Sequence, residues 1–238
     1  MQLYLWINII WLLLSIAFSF IKKIAFYKDF FYVLPAIIIP AFLFITIDYF
    51  FCVWGIWGFN KQDIAGVIWF GLPMEKVLFY FIASYSSLLL YAATKAMIRN
   101  DILRLYHQSI SVILVLLLTV FFFAFRQKLF TSVTALLCLV TLTYRMWIAS
   151  PKSLSRFYLA YLIGFIPVVF YYSLLTSRGI LWHDPKQIIG IQMGVIPVEH
   201  SLYFLALFLM NVGIYDYFKV RKEAKRVDDD QKTEVPLG

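Results

Sequence analysis

The chain reads as an all-α polytopic membrane protein, and three observations predict that class. Hydrophobic residues make up 63% of its 238 positions and charged residues only 14%, whereas a soluble domain is about half apolar and a quarter charged. Seven apolar runs each approach the roughly 20 residues that a helix needs to cross a bilayer. The basic residues fall in short loops and in the C-terminal tail, with a strong bias toward one side.

The expected spans are 3–21, 30–51, 70–94, 109–125, 129–148, 157–176 and 192–218. The first has neither a basic leading segment nor a small-residue cleavage site, so it reads as a retained helix rather than a signal peptide. Loops after spans 1, 3 and 5 and the tail carry fifteen Lys and Arg, among them Lys22, Lys95, Arg99, Arg145, Lys152 and Lys219. Five, including Lys61, Arg126 and Arg178, fall on the other side. This bias predicts a cytoplasmic C-terminus and an N-terminus outside, with a bacterial inner membrane as the expected location. The net charge of +8 is explained by it, and no nucleic-acid partner is expected. Residues 219–238 read as a polar, disordered tail, and Asp228 to Asp230 within it as a solvated acidic run rather than a metal motif.

Inside the spans, one motif occurs twice. Gly66 to Phe79 and Gly190 to Tyr203 both read G-x6-P-x-E-x3-aromatic, 124 positions apart. At the same offset Gly55 matches Gly179 and Ile64 matches Ile188, Asn60 falls opposite Asp184, and Asp48 falls opposite Tyr172. The copies open spans 3 and 7 and therefore enter from the same side. The simplest organisation is two parallel three-helix repeats, 1–95 and 129–218, joined by a connecting span within 96–128.

Each copy places a carboxylate, Glu75 or Glu199, two residues after a proline. A carboxylate at the centre of a bilayer helix costs about 2.5–3.5 kcal/mol on insertion scales, so two in matching positions point to joint use. A first helical turn favours the ionised form and burial favours the neutral acid. One of each would make an acid–base pair; the plainer alternative is that each caps its helix. Lys76 could pair with Glu199 or snorkel to the interface. His200 could relay a proton or simply pack. Asp48, flanked by aromatic residues in span 2, is a third intramembrane acid. Aromatic residues form 20% of the chain, and some could line an apolar slot that stabilises a cation. Cys52 and Cys138 are isolated, and His107, His183 and His200 are too scattered to suggest a metal site. No dinucleotide fingerprint or phosphate loop is present. Span 7 has no internal lysine for a retinal Schiff base.

These residues resemble the membrane lycopene cyclase domain family, which occurs as heterodimers or as fused tandem domains. The likeness rests on Pro73-Met-Glu75-Lys76 with Phe79, Pro197-Val-Glu199-His200 with Tyr203, Ile47-Asp48, Gly55-Ile-Trp57-Gly-Phe59-Asn60, and Met210-Asn211-Val-Gly-Ile-Tyr215. It covers most of residues 30–218. The family's second acid in each motif is replaced here, by Lys76 and by His200.

The resemblance implies a cofactor-free, metal-free isomerase that closes the ends of lycopene into β-ionone rings. Glu75 and Glu199 would act as acid and base, with Asp48 and His200 assisting. Pro73, Lys76, Phe79, Pro197, Tyr203, Trp57, Asn60 and Asn211 would shape the substrate site. The implied partners are a polyene and the lipid bilayer, and a homo-oligomer is compatible with this reading. The rival readings are a cyclase of another isoprenoid, motivated by Lys76 and His200, and a proton-coupled transporter or carotenoid-binding scaffold.

Overall fold

The computed structural model describes residues 3–60, 62–98, 100–147 and 153–233. Lys61, Arg99 and Lys152, which enter the charge bias, lie outside the described residues. Among the described residues there are seven α-helices: α1 (Leu3–Ser19), α2 (Phe30–Val53), α3 (Met74–Met97), α4 (His107–Ala124), α5 (Leu129–Trp147), α6 (Leu154–Ser177) and α7 (Glu199–Thr233). Six are long and apolar enough to cross a membrane, and α1 is a shorter apolar helix. The protein is an all-α polytopic membrane protein. Helix α4 turns Ile113, Leu116, Leu117, Val120 and Phe123 outward, as a lipid-facing helix does.

The 124-residue offset reappears as geometry. Helices α2 and α6 match at both ends, since Phe30 corresponds to Leu154 and Val53 to Ser177. Both finish in the same left-handed cap. Gly55 (φ +66°) and Gly179 (φ +69°) occupy the left-handed position, a backbone conformation that strains any residue but glycine. The Ile56 N–H then donates to Phe51 O at 2.9 Å, and the Ile180 N–H to Leu175 O at 3.0 Å. Each pair is the long hydrogen bond of a Schellman motif.

The helices containing the paired motifs start later than the sequence suggests. Spans 3 and 7 are expected from 70 and 192, but α3 begins at Met74 and α7 at Glu199. The intervening residues form short hairpins. Strand β2 (Ile68–Trp69) pairs with β3 (Leu72–Pro73), and β5 (Gln192–Met193) pairs with β6 (Ile196–Pro197). Phe70 and Gly71 both have positive φ, as a two-residue hairpin loop of this kind demands. Pro73 and Pro197 thus sit in hairpin strands rather than in a first helical turn.

A third pairing joins the two halves. Strand β1 (Trp57–Phe59) runs antiparallel to β4 (Leu181–His183), with Gly58 opposite Trp182, its own counterpart at the repeat offset. The bonds flanking this pair are equivalent as well. Asn60 N–H donates to Ile180 O at 2.9 Å, and Asp184 N–H to Ile56 O at 2.8 Å. The pseudo-twofold relation between the halves therefore passes through Gly58 and Trp182.

The expected disordered tail is corrected over part of its length. Helix α7 continues to Thr233, because residues 219–233 contain good helix formers and neither Gly nor Pro. Residues 234–238 lie outside the described residues.

Candidate functional site

The two glutamates begin their helices in matching ways. Glu75 Oε1 accepts the Ala65 N–H at 2.6 Å, and Glu199 Oε1 accepts the Ile189 N–H at 2.6 Å. Each bond reaches back ten residues and closes the hairpin segment over its carboxylate. The neighbouring backbone bonds match too, Met74 N–H to Val67 O and Val198 N–H to Ile191 O. Both side chains are fully buried. In both, Oε2 has no hydrogen-bond partner among the described residues. Neither glutamate caps its own helix, because its bonded oxygen is given to the preceding loop.

The surroundings of the two carboxylates differ. Asn8 of α1 donates through Nδ2 to the Glu75 carbonyl at 2.6 Å, and its Oδ1 accepts the Tyr171 hydroxyl at 3.0 Å. Tyr171 stacks on Phe79 at 4.8 Å and meets Trp11 edge-on at 5.3 Å. Glu199 Oε1 instead takes a second bond, from the Thr131 hydroxyl of α5 at 2.7 Å. The hydrogen bonds of each glutamate side chain stay within its own half of the chain.

Between the halves lies a buried polar cluster. Lys76 Nζ pairs with Asp48 at 3.2 Å, and both side chains are almost wholly shielded. This corrects both readings of Lys76, which neither pairs with Glu199 nor snorkels. Asp48 also accepts the hydroxyls of Tyr203, at 2.8 Å, and of Tyr80. Trp57, Phe79 and Tyr80 surround the ammonium group, with ring centroids 4.5, 5.1 and 4.9 Å away. A charge pair taken out of water needs such added partners to offset its desolvation.

The cluster continues into the second half. Lys76 Nζ donates to the Tyr172 hydroxyl at 3.3 Å, and Tyr172 stacks on His200 at 4.1 Å. His200 Nε2 and His183 Nε2 share a 2.6 Å hydrogen bond. Burial, with the Lys76 charge second, pushes the His183 imidazole down to about 4, so His183 is neutral at pH 7. The residues that follow the two glutamates, Lys76 and His200, thus meet through Tyr172.

Of the residues singled out in the sequence, Asp48, Lys76, Phe79, Trp57, Tyr203 and His200 converge on this cluster. Glu75 and Glu199 bond to their own loops instead, and Pro73 and Pro197 sit in the hairpin strands before them. Asn60 and Asn211 lie elsewhere. Asn60 is an exposed turn residue whose Oδ1 accepts the Gln62 N–H at 3.2 Å, as Asp184 accepts that of Lys186 at 3.0 Å. Asn211 lies twelve residues beyond Glu199, about 18 Å along the helix, where it donates to Ser87 at 3.1 Å. The sequence reading missed Tyr80, Tyr172, His183, Asn8, Trp11, Tyr171 and Thr131. Tyr172 had one available signal, its place opposite Asp48 in the repeat.

An apolar groove of about 670 Å³ opens beside the first half. Helices α1, α3 and α6 form most of it, with Phe204 of α7 and Ile21 and Ile24 after α1, and its α3 wall runs from Ala83 to Met97, about 20 Å of helix. Trp11 and Tyr171 are among its lining residues, so it reaches the aromatic cluster that adjoins Glu75. The opposite end of the bundle is charged. There Asp216 accepts from Arg145 at 3.0 Å and lies 3.5 Å from Lys95, and Lys219 pairs with Asp29 at 2.7 Å.

Fold and site together define a polytopic membrane protein built around two matching buried carboxylates. The lycopene cyclase family profile matches residues 1–94 and 127–218, leaving out only the stretch around α4 and the segment after 218. The chain belongs to this family, which places it in general among carotenoid cyclases and implies a carotenoid substrate and a lipid environment. Comparison with curated proteins and with solved structures returned no match.

Proposed function

We propose that this protein converts the open ends of lycopene into β-ionone rings by acid–base catalysis, without electron transfer. The observation that carries the proposal is the matched pair of buried carboxylates, each with Oε1 held by a backbone N–H and Oε2 unpartnered among the described residues. Such a group is oriented yet keeps one oxygen for a proton. Glu75 is assigned as the donor, because its neighbours Asn8 and Tyr171 connect it to the groove. Glu199 is assigned as the acceptor, because two donors hold its Oε1 and leave Oε2 for the incoming proton.

The chemistry balances as an isomerisation. Glu75 adds a proton to the terminal double bond, which leaves a tertiary cation. The internal alkene attacks it, a carbon–carbon bond closes the ring, and Glu199 removes a ring proton. One proton enters and one leaves, so the product has the composition of the substrate. Trp11 and Tyr171, which line the groove, suit the intermediate, since aromatic faces attract a cation without trapping it. Asp48 and His200 act as positioning residues through Lys76, Tyr80, Tyr203 and Tyr172.

The test is pigment analysis in bacteria that accumulate lycopene. Expression of this chain is expected to shift lycopene toward ringed carotenes. Unchanged lycopene, with the protein verified in the membrane, would overturn the proposal.

A further inference from the structure

The groove opens between α1 and α3, whereas at the matching place in the second half α5 packs directly on α7, and the difference lies in the side chains at matching positions. Ala83, Ser86 and Ala93 of α3, in the first half, and Gly164 of α6, in the second, line the groove. Their counterparts at the 124-residue offset are Leu207, Met210, Tyr217 and Pro40. On the facing helix the sizes are reversed. Trp11 and Phe18 of α1 line the groove, while their counterparts on α5 are Ala135 and Leu142, both fully buried. Small α5 residues let that helix close directly on α7, where Cys138 Sγ reaches Leu202 O at 2.9 Å. Bulky α1 residues facing small α3 residues leave a channel. Gly164 contributes to it, since a Cβ there would come within 2.9 Å of the Leu90 side chain.

We propose that this groove is the polyene channel and that it serves one substrate end at a time. A linear polyene has two equivalent ends, and one channel leading to one donor carboxyl can present only one of them. Two rings then require the one-ringed product to leave, reverse and enter again. The occupant is a long conjugated hydrocarbon: the lining is almost entirely apolar, about 20 Å long, and includes Trp11 and Tyr171, which pack on Phe79 one helical turn from Glu75. Ser86, Ala93 and Gly164 determine what fits, because an added ring at any of them fills the channel. This proposal rests on the cyclase reading for its chemistry but not for its binding stoichiometry.

Two measurements test it. The first is total carotenoid extracted per chain from protein purified out of lycopene-accumulating bacteria. The expected ratio is one, falling at least tenfold in Ser86→Phe and in Ala93→Phe. It stays at one in Tyr217→Ala, which trims the corresponding second-half position. A ratio of two, retention by both groove variants, or a groove holding only phospholipid would overturn the proposal. The ratio is readable even if no ring forms, so failure of the cyclase reading remains distinguishable.

The second is a time course with membranes in which the enzyme is limiting. One-ringed carotene is expected to exceed the amount of enzyme before two-ringed product appears. Two-ringed product arising while the one-ringed species never exceeds the enzyme would overturn sequential entry.

Discussion

The two halves of this molecule hold their glutamates by the same bond and surround them differently. Glu75 and Glu199 both accept, through Oε1, a backbone N–H ten residues earlier, at the same 2.6 Å. Around Glu75 the partner helix carries Asn8 and Trp11, and a groove opens. Around Glu199 the partner helix carries Thr131 and Ala135, and the helices close. The backbone device that orients a buried carboxylate has been kept in both copies, while the side chains have divided the tasks. One half faces the groove, and in the proposed reaction the other completes the acid–base pair.

The largest expected effect removes the shared feature. Glu75→Gln keeps the shape and the Ala65 bond but cannot supply the proton, and general acid catalysis contributes about 10²–10⁴-fold. Ring formation is therefore expected to fall at least about 100-fold with normal membrane expression, measured by pigment chromatography. Glu199→Gln is expected to do the same. Full activity in either variant would reduce that glutamate to a structural role and break the comparison.

The next effect probes what the halves do not share. Lys76 forms an ion pair, and its counterpart His200 forms none among the described residues. Removing one partner of a buried pair costs about 3–5 kcal/mol. Lys76→Met is expected to lower the stability of the purified protein by that order in thermal or denaturant unfolding. The double variant Asp48→Leu/Lys76→Met should recover most of the loss, because it leaves no lone buried charge. A single variant as stable as the wild type would mean that the pair is not buried as described.

Smaller effects sharpen the contrast. Thr131→Ala removes one hydrogen bond to a carboxylate, worth about 1.5–3 kcal/mol, and should slow turnover while leaving carotenoid binding intact. Asn8→Ala should weaken both, since Asn8 connects Glu75 to the groove-lining Tyr171. Separate assays of turnover and bound carotenoid read the difference.

His183 gives a pH signature. Its folded-state value of about 4 lies below the ordinary histidine value near 6.5. Between these values the unfolded chain binds more protons, so stability falls as pH drops through that window. Unfolding midpoints for the wild type should decline from pH 6.5 toward 4, and His183→Gln should flatten that decline.

Much of this arrangement was legible in the sequence, for identifiable reasons. The repeat showed because glycines with positive φ and intramembrane acids tolerate few substitutes, so Gly55, Gly66, Glu75 and their counterparts stand out from the apolar background. The hydrophobic runs gave the helices because a bilayer imposes their length. The short strands did not show. Two- and three-residue pairings such as Trp57–Phe59 with Leu181–His183 have no periodicity to read, and Pro73 looks the same in a hairpin strand as in a first helical turn. The partner of Lys76 was hidden because Asp48 is 28 residues away on another helix. The groove was hidden because it depends on the relative sizes of Trp11 and Ala83 on different helices.

The central claim is that ring closure is a proton-in, proton-out isomerisation performed by Glu75 and Glu199. Its most direct test is conversion of lycopene in deuterated water by membranes containing this protein, with mass analysis of the products. The account predicts one deuterium per ring formed, an otherwise unchanged composition, and no product from Glu75→Gln. Ringed products without deuterium, or undiminished conversion by Glu75→Gln, would contradict it.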